Sequence, residues 1–202
     1  PAVFDYKKLE WYNGQYIRML SDEELYKATL PFITKTGDAA LEINVSDEFP
    51  APHVGPEYSG IALGDDGEPV CVDTSMNMSS ADVKKALMEL MPLIKERLKY
   101  LTEAAEMVHF LFTEPAVPAA DQIIPKKLDL VKTKEVLEAS KEFVKALPNL
   151  DHEGSEALAR EMAEKLGVKL GDFMMPIRMA VTGSRVSPPL MGSILILGVE
   201  RS

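Results

Sequence analysis

Apolar residues recur at steps of three and four along most of this chain, a spacing that favours α-helices over strands. The longest such run extends from Val83 to Leu111. Because Pro92 lies inside it, we expect two helices there, or one helix kinked near Met91. Similar patterns on both sides of this run predict an all-α fold class.

Capping residues and glycines predict where several helices begin and end. Ser21 and Glu24 form a capping box, which predicts a helix from about Asp22 to Phe32. Ser187 is expected to be the N-cap of the last helix, which Gly198 ends. Four helices are expected in the last third of the chain, near residues 134–147, 153–166, 170–181 and 188–197.

Residues 35–80 interrupt the helical pattern with clustered prolines and glycines, and we interpret them as an irregular acidic insertion. A short hairpin is expected inside it, pairing residues 61–63 with 69–72 across the turn Gly64–Gly67. Residues 33–82 carry ten acidic residues and the single base Lys35, which is −9 of the chain's formal net charge of −10.

The location of the charge decides which partners are plausible. A net charge of −10 at first argues against polyanions, because phosphate binding depends on basic residues. Outside the acidic segment the charge nearly balances, and residues 165–202 carry +3. A nucleic-acid partner therefore stays open.

Several classes of chemistry are excluded by what the sequence lacks. One cysteine, Cys71, cannot form an internal disulfide, and three scattered histidines give no metal-binding spacing. We interpret Cys71 as a semi-buried thiol rather than a nucleophile, because no partner for it is recognisable. No apolar stretch is long enough to cross a membrane, and no signal peptide is visible. A cytoplasmic setting is expected, and the missing initiator Met predicts a longer parent protein.

Three stretches carry more specific signals. In Lys8–Arg18, Trp11 and Asn13 favour tight packing over binding, with Asn13 satisfying a neighbouring backbone group. The second stretch surrounds Arg97. In the third, residues 175–190, Arg178 suits recognition of a nucleotide and equally suits a buried ion pair with a carboxylate.

Together these stretches resemble the C-terminal half of bacterial glutamyl-tRNA synthetases, which are class I aminoacyl-tRNA synthetases. Phe4–Gly14 resembles the family's F-D-x-x-K-L-x-W-x-N-G, and Leu111–Glu114 resembles part of its first anticodon-binding subdomain. Gly167–Gly171 resembles G-V-K-x-G, and Pro176–Gly183 resembles P-x-R-x-A-x-T-G, the strongest match. The resemblance covers nearly the whole chain except about residues 35–80.

This resemblance implies a two-subdomain helical anticodon-binding cage. Residues 1–34 would form a stem-contact region, residues 35–117 the first anticodon-binding subdomain with its insertion, and residues 118–202 the second. The acidic segment is longer than the family's usual counterpart and should stay away from phosphates. The chain also stops before the family's terminal basic helix, which would reduce its affinity for tRNA.

The resemblance also implies the function. The parent enzyme would attach glutamate to tRNA(Glu) using ATP with Mg²⁺. This chain lacks the family's H-I-G-H and K-M-S-K-S signatures, so it would hold no catalytic residue, cofactor or metal of its own. Its partners would be tRNA(Glu) and its own N-terminal catalytic domain, in a monomeric protein.

Residue roles follow from the resemblance position by position. Arg97 matches an arginine that contacts the third anticodon base and helps distinguish tRNA(Glu) from tRNA(Gln). Arg178 matches an anticodon-reading arginine. Residues of a polar-Pro-x-Leu turn that packs on the anticodon bases are matched by Ser187, Pro188 and Leu190. The helix of Trp11 and Asn13 matches the stem-contact region, where a core role is favoured.

Two alternatives compete with this hypothesis. An acidic helical protein-interaction module would share the helical pattern and would not bind RNA. A glutaminyl-tRNA synthetase fits poorly, because the anticodon-binding part of that family is built from β-structure, whereas the periodicity here is helical.

Overall fold

The computed structural model describes residues 5–34, 60–73, 76–113 and 118–202, and the chain divides into two compact units, residues 1–113 and 114–202. Nine α-helices and one hairpin lie in the described ranges, which confirms the all-α class. Most of the acidic insertion, residues 35–59 and 74–75, lies outside the described residues. The elements are α1 (Tyr6–Met19), α2 (Asp22–Ile33), β1 (Ile61–Leu63), β2 (Pro69–Cys71), α3 (Ser80–Lys95), α4 (Ala104–Val108), α5 (Ala120–Ile123), α6 (Leu130–Ala146), α7 (His152–Lys165), α8 (Leu170–Thr182) and α9 (Leu190–Leu197).

In the first unit, α2 packs against α3 and α4 around a continuous apolar core. The predicted capping box begins α2: the Glu24 backbone N–H donates to Ser21 Oγ at 3.2 Å, and the Ser21 N–H donates to Glu24 Oε2 at 2.8 Å. The helix ends at Ile33, one residue beyond the expected end. A second capping box, between Ser79 and Asp82, begins α3.

The expected break near Pro92 does not occur at that position. The helix α3 continues through Pro92 to Lys95, and its C-cap is Glu96. Met91 and Ile94 are fully buried on either side of the proline. Their packing holds the last turn in helical form even though a proline cannot donate the backbone hydrogen bond.

The hairpin forms where the sequence predicts it, with Ile61 opposite Cys71 in an antiparallel pair. Lys84 of α3 forms an ion pair at 2.9 Å with Glu68, which precedes β2. Cys71 is half-buried, as interpreted from the sequence, and its Sγ lies 3.6 Å from the Phe112 carbonyl oxygen. The hairpin is therefore held to the body of the first unit at several points.

In the second unit, α8 packs against α5, α6 and α7. The rings of Phe143 and Phe173 meet edge to face with centroids 5.8 Å apart, and both side chains are fully buried. Gly167 and Gly183 end α7 and α8 at φ values of +68° and +67°. Such left-handed backbone favours glycine, and the N–H groups of Gly167 and Gly183 donate to carbonyl oxygens of the last helical turns at 2.9 and 3.0 Å.

Two further properties concern the described residues only. None of their helices combines the length and apolarity needed to cross a membrane. Within the same ranges, no three His, Cys, Asp or Glu side chains converge as a metal site would require.

Candidate nucleic-acid interface

Arg178 links helix α8 to residues 183–189, the connector that leads into α9. Its Nη1 donates to the Pro188 carbonyl oxygen at 2.9 Å, to the Ser187 carbonyl oxygen at 3.3 Å and to Ser187 Oγ. The side chain is half-buried. The structure thus brings together three of the residues predicted for the anticodon site. Backbone and hydroxyl oxygens accept the hydrogen bonds of the Arg178 guanidinium.

Ser187 is not the N-cap of α9, contrary to the sequence-based expectation. The helix begins at Leu190, with Pro189 in the N-cap position and no side-chain cap. Ser187 instead accepts from Arg178, which is why it lies outside the helix. The side chains of Ser187 and Leu190 are only 2% and 3% exposed, and Pro188 is also buried. These three residues therefore lie beneath the exposed surface of the second unit and support its shape.

The connector also carries two exposed residues that the sequence did not predict as part of the site, Arg185 and Val186. Arg185 Nη2 donates to the Gln122 carbonyl oxygen at 3.2 Å. With Gln122, Met179 and Gly183, Arg185 lines a cavity of about 420 Å³ in the second unit. The signal available in the sequence was an arginine directly after a Gly-Ser turn, a position that usually projects into solvent.

Arg97 lies in the first unit, in the turn after α3. Its backbone N–H donates to the Ile94 carbonyl oxygen at 2.8 Å, and neighbouring Leu98 is fully buried, so the turn is fixed. The Arg97 side chain is exposed and has no ion-pair partner among the described residues. The adjacent carboxylate of Glu96 is bound by Arg18 at 3.0 Å. Arg97 therefore presents an uncompensated guanidinium.

Helix α1 is attached to this same turn. Asn13 Nδ2 donates to the Lys99 carbonyl oxygen, which confirms the expected backbone contact. A Cβ added to Gly14 would lie 3.2 Å from Arg18 Nη1 and 3.6 Å from the Leu98 carbonyl oxygen, so the predicted close packing is confirmed. Trp11, however, is 58% exposed, so the favoured core role is wrong for this residue. Its face of α1 has no described partner to cover it.

Charge pairing separates two groups of cations in the second unit. On α6 and α7, lysines and Arg160 pair with acids three or four residues away on the same helix. Such exposed pairs are worth little to stability and leave those cations locally neutralised. Cations with no acidic partner among the described side chains are Lys126, Lys127, Lys134, Lys169 and Arg185.

Comparison with known proteins assigns the chain to a family. Residues 64–202 match the family described as "Anticodon binding domain". The chain belongs to this family. The matched range contains Arg97 and Arg178 together with the connector that Arg178 holds. Membership favours RNA binding over the acidic protein-interaction module.

Several proteins similar to this chain are named glutamate–tRNA ligase. The chain is 48% identical to glutamate–tRNA ligase of Treponema denticola, covering all of this chain and 37% of that protein. It is 43% identical to the Treponema pallidum enzyme, with 35% of that protein covered. A crystal structure of the Elizabethkingia meningosepticum glutamate–tRNA ligase aligns with 99% of this chain and 31% of its own, at 19% identity and a TM-score of 0.49. The chain thus spans about a third of the length of these relatives.

Proposed function

We propose that this chain is the anticodon-binding region of a glutamate–tRNA ligase whose complete form attaches glutamate to tRNA(Glu) using ATP. The observation that carries the proposal is the family match over residues 64–202, which contains every residue assigned to the anticodon site. These residues are Arg97, Arg178, Ser187, Pro188 and Leu190. The relatives named glutamate–tRNA ligase support the choice of amino acid.

In the complete ligase, this chain and the rest of the parent protein have different roles. Adenylate formation, with ATP and Mg²⁺, belongs to an N-terminal catalytic domain, and this chain holds the tRNA for it. Residues 1–34 form the stem-contact region, and residues 35–117 and 118–202 form two anticodon-binding subdomains. The complete protein acts as a cytoplasmic monomer.

The geometry supports distinct roles for the two arginines. Arg97 is assigned to the third anticodon base by the family resemblance, and its exposed guanidinium is available for that contact because it has no acidic partner among the described residues. At least one nitrogen of Arg178 donates hydrogen bonds to the connector, so Arg178 positions Ser187 and Pro188 beneath the anticodon bases. Trp11 is exposed enough to contact a tRNA stem, whereas the Asn13 amide donates a hydrogen bond to the Lys99 carbonyl oxygen.

A salt series on the complete ligase tests the proposal. Binding of tRNA(Glu) should weaken linearly on a plot of log affinity against log salt, because phosphate contacts release counterions. Replacing both Lys126 and Lys127 with Gln should make this slope shallower, while the single change Lys85→Gln on α3 should leave it unchanged. A flat salt response, or no binding of tRNA(Glu), would overturn the assignment.

A further inference from the structure

A cavity in the second unit lies where α5, α8 and the start of the connector meet, and we call it the α5 cavity. Its volume of about 420 Å³ is in the range of sites that hold small ligands or single groups of larger ones. The residues that line it are Asp121, Gln122, Met179, Gly183, Ser184 and Arg185. None of them belongs to the residues assigned to the anticodon, so the proposed function leaves the α5 cavity unused.

Hydrogen bonds within the chain fix the connector around Arg185. The Ser184 backbone N–H donates to Thr182 Oγ1 at 3.4 Å, and the Val186 backbone N–H donates to Ser184 Oγ at 3.1 Å. Met179 is only 3% exposed and gives the cavity an apolar wall. The walls are therefore formed before any ligand arrives, which lowers the conformational cost of binding.

Opposite charges line the α5 cavity without neutralising each other. Asp121 and Arg185 form no ion pair, and the Asp121 carboxylate has no hydrogen-bond partner among the described residues. Arg185 Nη2 donates to the Gln122 carbonyl oxygen at 3.2 Å, whereas its Nε and Nη1 have no partner in the same ranges. Asp121 thus offers acceptors to a ligand, and Arg185 offers donors.

This pairing of acceptors with donors suits a nucleobase rather than a phosphate or a basic side chain. A phosphate would be repelled by the Asp121 carboxylate, and a lysine or arginine side chain by Arg185. An unpaired base presents both donors and acceptors on its edges. Arginine donates to base acceptors such as guanine O6 and N7, and carboxylates accept from exocyclic amino groups such as cytosine N4.

We infer that the α5 cavity binds an unpaired base of the anticodon loop that carries an exocyclic amino group and lies outside the anticodon itself. Asp121 accepts a hydrogen bond from the amino group, and Arg185 donates to an acceptor on the same base. The inference rests on the proposed function, in which the connector lies beneath the anticodon bases. Because Ser187 follows Arg185 by only two residues, a base in the α5 cavity is a neighbour of the bases above Ser187.

Charging of altered tRNA(Glu) transcripts by the complete ligase tests the inference. Each amino-bearing loop base outside the anticodon is replaced in turn by an analogue without that group: purine riboside for adenosine, inosine for guanosine and zebularine for cytidine. One replacement should lower kcat/KM about tenfold, because a base contact of this kind is lost. With Asp121→Ala, the same replacement should change kcat/KM by less than about twofold, since the carboxylate that reads the amino group is gone.

Matched variants separate base recognition from a structural role. Glu153→Ala removes an exposed carboxylate from α7 and should keep the tenfold loss. Arg185→Gln should reduce that loss as Asp121→Ala does, whereas Arg160→Gln on α7 should not. If Asp121 or Arg185 only supports the fold, its substitution lowers kcat/KM for every transcript by one factor, and the tenfold ratio survives. That result would overturn the inference, as would the absence of any sensitive loop position.

The same measurements distinguish failure of the site from failure of the proposed function. A ligase that charges tRNA(Glu) and shows no coupling between Asp121 and a loop base would refute the α5 site and leave the proposed function standing. A parent protein that does not charge unaltered tRNA(Glu) would refute the proposed function, and the inference would fall with it.

Discussion

Arg178 Nη1 lies 2.9 Å from the carbonyl oxygen of Pro188, ten residues further along the chain. The contact links α8 to the residues just before α9, in the segment that follows the C-cap Gly183. Pro188 is itself buried, so its carbonyl group depends on partners within the protein. One side chain thus fixes the shape of the proposed anticodon surface.

Arg178→Gln should destabilise the second unit. Removing the guanidinium leaves part-buried oxygens of Ser187 and Pro188 with lost donors, which typically costs about 1–3 kcal/mol. Urea unfolding of the chain measures the change. Arg160→Gln on α7 is the matched control, because Arg160 only pairs with exposed Glu156, and it should shift stability by less than about 0.5 kcal/mol. Equal effects of the two substitutions would contradict the structural role of Arg178.

Gly60→Ala should destabilise the first unit more than Gly67→Ala. Both glycines have positive φ, +66° and +78°, so alanine costs about 1–2 kcal/mol of backbone strain at either position. At Gly60 the new Cβ would also lie 2.7 Å from the Phe112 carbonyl oxygen, whereas Gly67 has open space. Overpacking should add about 1–3 kcal/mol at Gly60 only. Chemical denaturation measures both, and equal losses would show that the hairpin does not press on Phe112.

The two capping boxes predict a loss of stability in acid. Hydrogen bonds from the Ser21 backbone and side chain lower the pKa of Glu24 below its ordinary 4.5, and those from Ser79 lower the pKa of Asp82 below 3.8. A folded-state pKa that is depressed contributes stability above the ordinary value, and that contribution disappears as pH falls through the folded value.

Replacing these acids with amides removes the titration and keeps an oxygen acceptor. The free energy of unfolding of Glu24→Gln with Asp82→Asn should therefore change less between about pH 7 and about pH 2 than that of the unchanged chain. Denaturant unfolding at a series of pH values measures the difference. An unchanged pH dependence would show that the boxes do not contribute in this way.

Local signals in the sequence predicted much of the fold. The box at Ser21, the hairpin around residues 61–72 and the glycine ends of α7 and α8 all depend on neighbouring residues, so they can be read without tertiary contacts. Pro92 and Ser187 were misread for the opposite reason. Burial of Met91 and Ile94 keeps α3 intact, and the guanidinium of Arg178 draws Ser187 away from the helix start.

In the candidate site, too, local motifs could be predicted from the sequence, and features that depend on tertiary contacts could not. Motif resemblance placed Arg178 beside its connector, and the structure supplies the contacts. Exposure could not be predicted in the same way: Trp11 was expected in the core because large aromatic residues usually are, and its face of α1 is open instead. Arg185 was missed because its place at the cavity depends on Gln122, 63 residues earlier in the chain.

Arg97→Gln in the complete ligase should relax discrimination between tRNA(Glu) and tRNA(Gln). A guanidinium that contacts a base edge is worth about 1–3 kcal/mol of discrimination, and glutamine cannot supply the same charged fork of donors. The ratio of kcat/KM for the two tRNAs measures the effect. Lys85→Gln removes an exposed charge from the same unit and should leave the ratio unchanged.

Because the Arg97 side chain has no described ion-pair partner, Arg97→Gln should not alter the unfolding free energy by more than about 0.5 kcal/mol. An unchanged ratio with normal stability would therefore refute the role of Arg97 in reading the anticodon.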